Sequence, residues 1–155
     1  MYLYLEKYES VSRWDANAIE KAKDFYPEEL QELGKKHLER NFLSKETKYQ
    51  VGYWRKANAI HKWFVDNCGD GEDCCQLMGV GKEQLEELLN LVKEVLLDHS
   101  KASKLLPSQS GFFFGTQDYD EWYYEDLKYT KELIERVLDF LEHNEKYYIY
   151  YQASW

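Results

Sequence analysis

Apolar positions recur at helical spacing along most of the chain and give way to strand-like runs chiefly at its two ends. The clearest helix runs from Gln84 to Asp98, with Leu85, Leu88, Leu89, Val92, Val95 and Leu96 on one face. Glu86, Glu87, Lys93 and Glu94 stay on its outer side. A long pattern extends from Tyr119 to His143, and shorter ones from Asp15 to Phe25, Glu28 to Phe42, and Tyr53 to the Gly69-Asp70-Gly71 turn. Asp15 supplies a cap, Pro27 suits a first helical turn, and Leu30, Leu33, His37 and Leu38 mark one stripe. Tyr2-Leu3-Tyr4-Leu5 and Tyr147-Tyr148-Ile149-Tyr150-Tyr151 carry no helix signal and read as strands. Chain termini often lie close together, so the segments Tyr2–Tyr8 and Tyr147–Gln152 are expected to be neighbours. The expected fold is α+β and mainly helical, with about five helices and a small tyrosine-rich sheet formed by the chain ends. No repeat, low-complexity tract or Pro/Ser linker interrupts residues 1–155, which read as a single domain.

Composition sharpens this picture in three ways. Seven Phe, five Trp and fourteen Tyr make aromatics 17% of the chain, against two Pro and eight Gly, so repetitive loops are not its theme. Twenty basic against twenty-nine acidic side chains leave a net charge of −9, which argues against coating a nucleic-acid backbone. No apolar run is long enough for a membrane span, and no charged-then-apolar signal segment opens the chain. Cys68, Cys74 and Cys75 make a poor disulfide framework and read as free thiols near a turn. A zinc site would need further ligands, and only His61 is near in sequence, so no metal or cofactor is expected.

Familiar catalytic motifs fail on inspection. Gly79-Val80-Gly81-Lys82 resembles a phosphate loop, but Gln76 stands where the first glycine belongs and Glu83 replaces the Ser or Thr. Asp66-Cys68-Asp70-Gly71 imitates a calcium loop with Cys68 at a hard-ligand position and Leu77 at the closing one. Neither a nucleophile elbow nor a zinc-protease helix is present.

Two segments concentrate unusual residues. On a helix over Tyr53 to Val65, Tyr53, Ala57, Ile60, Phe64 and Cys68 form an apolar face, with Trp54, Asn58, His61 and Val65 on an adjoining stripe. Arg55 and Lys62 stand together further round. This is either a core helix with amphipathic shoulders or a pocket wall suited to a planar anion such as a nucleotide. The second segment, Ser110-Gly111-Phe112-Phe113-Phe114-Gly115, reads as a short strand or ligand-facing loop and leads into Asp118 to Asp126. Asp118 is the expected helix cap. Asp126 shares an apolar stripe with Tyr119, Tyr123, Thr130, Leu133 and Val137, and so needs a cation, for which Arg55 or His61 is the economical source. The resulting ligand- or partner-binding set is Trp54, Arg55, Asn58, His61, Lys62, Phe113, Tyr119, Trp122 and Asp126, with no catalytic or metal residue assigned.

Tyr53 to Val65 and Ser110 to Gly115 resemble the signature stretches of a family of short phage and prophage proteins. The likeness covers the central helix, the Phe loop and the aromatic closing residues. It attaches no activity, and implies a phage-encoded protein in the cytoplasm of a bacterial host. The function expected first is a small interaction protein that binds a host protein or complex, modulating a host process or countering a defence system without catalysis. The alternative is a binder of a nucleotide or nucleotide signal through Trp54, Arg55, His61 and Lys62, and a weaker one is a small hydrolase or nuclease using His61 with Asp126. Either state, monomer or homo-oligomer, is compatible with these readings.

Overall fold

Large side chains alternate from the first residues onward, and the backbone follows them as an extended strand, β1 (Tyr2–Ser12). Leu3 and Leu5 are buried on one face, while Tyr2 and Tyr4 are half-buried on the other. The computed structural model describes residues 1–40, 42–109 and 118–154, without the side chain of Arg40. It divides into two compact units, Met1–Leu5 with Tyr49–Trp155, and Glu6–Lys48.

The first unit holds the ends of β1 and β2 (Phe42–Tyr53), then α3 (Asn58–Cys68), β3 (Met78–Val80), α4 (Lys82–Leu97), the single turn α5 (Ala102–Leu105), α6 (Glu121–Glu142) and β4 (Tyr147–Gln152). The sheet order is β2-β1-β4-β3, and β3 runs antiparallel to β4 with Met78 opposite Tyr151. α4 and α6 pack side by side, joined at the surface by a Lys93–Glu135 ion pair at 2.8 Å. Between helices and sheet lies a core that includes Leu3, Phe64, Leu85, Leu88, Leu127, Ile134 and Tyr151. Phe64 stacks on Tyr151 with ring centroids 4.1 Å apart, so α3 is tied to the last strand by aromatic overlap.

The second unit contains the remainder of β1 and β2, α1 (Ala18–Lys23), a 3-10 turn at Glu28–Leu30, and α2 (Gln31–Arg40). Its core is small: Val11, Ala22, Leu38 and Leu43, with Ala18, Phe25 and Tyr26 packed against them. Of the stripe expected on α2, only Leu38 is buried; Leu33 is 61% exposed.

The fold is α+β, but the expectation of a sheet made by the chain ends alone is overturned. β1 and β4 are neighbours, but two further strands come from the middle of the sequence. β2 escapes sequence reading because lysines, glutamine and glutamate fill much of it, so its buried positions, Leu43 and Gly52, set up no apolar alternation. β3 is three residues, with Met78 and Val80 buried on either side of Gly79, too short to show a period. Six α-helices occur among the described residues rather than about five, the extra one being the single turn α5.

Helix ends also shift. The third helix begins at Asn58 instead of Tyr53, because Tyr53 still belongs to β2 and Lys56 takes a left-handed backbone (φ 64°) before the helix can start. The cap of α6 is Asp120 rather than Asp118: its side chain accepts the Tyr123 backbone N–H at 3.1 Å. No helix among the described residues is long and apolar enough to cross a membrane.

Candidate functional site

Trp54 follows directly on β2 and turns inward, so that only 2% of it is exposed. Its ring lies 6.0 Å from both Phe64 and Tyr129 and 6.2 Å from Tyr151. The indole N–H donates to Thr130 Oγ1 at 2.8 Å, and that hydroxyl donates to the Asp126 carbonyl oxygen at 2.6 Å. The side chain is thus held between β2 and α6 by packing and by a two-step polar chain. Its ring faces are occupied by protein.

His61 is buried as well. Nε2 lies 3.1 Å from Asp73 Oδ2 and Nδ1 lies 2.7 Å from the Tyr151 hydroxyl. A carboxylate only accepts, so Nε2 carries the proton and donates to Asp73, while the Tyr151 O–H donates to Nδ1. Burial lowers the imidazole pKa, and the Asp73 carboxylate partly opposes this. Asp73, not Asp126, is therefore the acid beside His61, and the His61–Asp126 pairing is not formed. Lys62 forms an ion pair with Asp66 one turn along α3.

Part of the expected set does converge. Arg55, Asn58, Trp122 and Asp126 line one cleft of about 380 Å³, together with Lys56, Asp118, Asp120 and Tyr123. Asn58 Oδ1 accepts the Gln109 backbone N–H at 3.3 Å, which anchors one wall. Tyr119 packs edge-on against Tyr123 at 4.9 Å, and Trp122 is 79% exposed. Phe113, and the Gly111–Gly115 loop with it, lies outside the described residues.

Asp126 shares this cleft with Arg55 but has no ion-pair partner among the described residues. Burial pushes its carboxyl up to about 6, and the charge of Asp120 adds to the effect. The native state then holds this proton more tightly than the unfolded chain does. Its stabilising influence is complete at low pH and is lost as pH rises through about 6. Two pKa units correspond to roughly 3 kcal/mol, which solvent access to the cleft reduces to about 1–2 kcal/mol. Asp126→Asn should accordingly stabilise the fold by that amount at pH 8 and by nothing below pH 4 in chemical denaturation. A substitution effect independent of pH would show that the carboxyl titrates normally.

A second concavity, absent from the sequence reading, lies between α6 and the sheet. This groove of about 580 Å³ is walled by Tyr49, Val51 and Leu5 from the strands, by Tyr129, Leu133, Val137 and Phe140 from α6, and by Tyr147. Gly52 makes the close approach here, since a Cβ at that position would run into Leu133. The Tyr129 hydroxyl accepts the Tyr53 backbone N–H at 3.1 Å and fastens helix to strand. Phe140 meets Tyr147 edge-on at 5.0 Å, and Tyr49 lies 6.3 Å from Tyr147. Glu132 and Arg136 stand one helical turn apart in the lining. Neither belongs to an ion pair among the described residues, whereas the nearby Lys128–Glu125 and Lys93–Glu135 contacts are paired. The available signal was the Tyr129, Leu133, Arg136, Phe140 stripe, which repeats at helical spacing beside the Tyr49, Val51 alternation.

Among the described residues, no group of three or more His, Cys, Asp or Glu side chains is arranged to hold a metal ion. Comparison with protein-family models, with curated proteins and with solved structures gives no match to this chain.

Proposed function

We propose that this chain works by binding a protein partner, without catalysis, and that the groove between α6 and the sheet is the contact surface. The observation that carries this reading is an aromatic-walled groove whose lining includes Glu132 and Arg136, neither in an ion pair among the described residues. Tyr49 and Phe140 are 50% and 37% exposed along it, the mix of aromatic and Arg side chains that dominates interface energetics. The fitting occupant is a peptide segment with an aliphatic or aromatic anchor flanked by one acidic residue for Arg136 and one basic residue for Glu132. In a phage-encoded protein, as the sequence resemblance implies, that segment would belong to a host protein.

The nucleotide reading has less support. Trp54 and His61 are buried, and the cleft that retains Arg55 and Lys56 also carries Asp118, Asp120 and Asp126, which oppose a phosphate. Selection of binders from a random peptide library against the whole chain tests the proposal. Peptides of the stated pattern should be enriched, and Tyr49→Ala with Phe140→Ala should weaken them at least tenfold, about 1.4 kcal/mol. Trp122→Ala should leave them unaffected. Binders lost on Arg55→Ala or Trp122→Ala, and indifferent to the groove, would move the working surface to the other cleft and overturn the assignment.

A further inference from the structure

The turn between α3 and β3 carries adjacent cysteines, Cys74 and Cys75, both free thiols. Cys74 is exposed and Cys75 half-buried. Cys75 has φ 61°, a left-handed conformation that costs a side-chain-bearing residue energy and that glycine or asparagine would adopt more easily. The turn reaches this geometry through two further left-handed residues, Asp70 (φ 54°) and Gly71 (φ 77°).

Glutamine side chains hold the pair in place. Gln76 Oε1 accepts both the Cys74 N–H at 2.8 Å and the Cys74 thiol at 3.2 Å, and Gln152 of β4 donates to the Cys75 carbonyl at 3.1 Å. Immediately before the pair stands Asp73, the residue that receives the His61 N–H. The two thiols therefore sit on a strained turn beside Asp73, a partly exposed side chain that accepts a hydrogen bond from the buried His61. The third cysteine is different in kind: burial pushes the Cys68 thiol up to about 11, and Glu87 adds to this, so it stays protonated.

We propose that Cys74 and Cys75 form a thiol-modification site that closes reversibly into a disulfide with a low-molecular-weight disulfide such as oxidised glutathione. The Cys74 thiolate attacks one sulfur of the oxidant, a mixed disulfide forms, and one glutathione thiolate leaves. The Cys75 thiolate then attacks the Cys74 sulfur, and the second glutathione thiolate leaves. Two electrons pass from the cysteine pair to the oxidant, and the two protons of the protein thiols end on the two glutathione thiols. Closing the ring between adjacent residues must reset the backbone at Cys75, and with it the position of Asp73 against His61.

The test exposes the native chain to a glutathione redox series. Free thiols are counted, the protein is cut after Glu72 to separate Cys68 from the pair, and the His61 ring is followed by NMR. The expected result is a fall from three free thiols to one, a fragment carrying Cys74 and Cys75 that has lost two hydrogens, and a shifted His61 resonance. Cys75→Ser should stop at the mixed disulfide on Cys74. Stable glutathione adducts in the unmutated chain, disulfides that include Cys68, or links between two chains would each overturn the proposal. An internal Cys74–Cys75 disulfide that leaves the His61 resonance unmoved would overturn its connection to the core.

Discussion

Trp54→Ala is expected to lower the stability of the first unit by about 3–5 kcal/mol, the cost of emptying a large aromatic site in a packed core. The indole touches three aromatic rings from three elements, Phe64 on α3, Tyr129 on α6 and Tyr151 on β4. No single neighbour can collapse into the space without abandoning the others. The Thr130 hydroxyl would lose its donor while keeping its bond to the Asp126 carbonyl, so the polar penalty is secondary to the cavity. Trp54→Phe keeps much of the packing and gives up the N–H, and should fall between the two. Trp122→Ala is the control: that side chain is 79% exposed, and the change should stay within about 0.5 kcal/mol. Denaturant unfolding followed by circular dichroism would rank the three. A Trp54→Ala protein as stable as the unsubstituted chain would contradict a core position.

This contrast between two tryptophans shows what the sequence could and could not reveal. Helical periodicity located α4 almost to its ends, because Leu85, Leu88, Leu89, Val92 and Val95 all face one core. It gave α6 for the same reason. The same logic misplaced Trp54, since a helix drawn back to Tyr53 puts the indole on a shoulder, whereas a strand ending at Tyr53 sends it inward. What separates the two is the left-handed turn at Lys56, a residue type that carries no signal for it. The acidic partner of His61 was misjudged by a related route. Asp126 lies on an apolar stripe and drew attention, while Asp73 sits in an irregular turn that no periodicity describes. The groove was hidden because it is built from β2, whose polar alternation concealed a strand. Sites assembled across elements become legible only once the strands are in place.

His61→Gln should destabilise by about 1–3 kcal/mol at pH 7.5, because glutamine cannot satisfy Tyr151 and Asp73 in the same geometry and leaves the buried Tyr151 hydroxyl unpaired. Its second consequence is a change in pH dependence. Burial holds the imidazole pKa below its ordinary value, so as pH falls the unfolded chain takes up the proton before the native state does. The native protein therefore has the full benefit of a neutral His61 above pH 6.5 and loses stability as pH drops below it, until the native histidine itself protonates. Among the described residues, Asp73 favours the charged form of the ring and the Met1 ammonium disfavours it, while the Tyr151 hydroxyl binds the neutral Nδ1. Subtracting the His61→Gln stability curve from that of the unsubstituted chain cancels Asp126 and the surface histidines and isolates this residue. The difference should be largest near neutral pH and shrink through mildly acid pH. A difference that stays flat between pH 8 and 5 would mean that His61 exchanges its proton equally well folded and unfolded, which is incompatible with a buried imidazole held between a tyrosine and an aspartate.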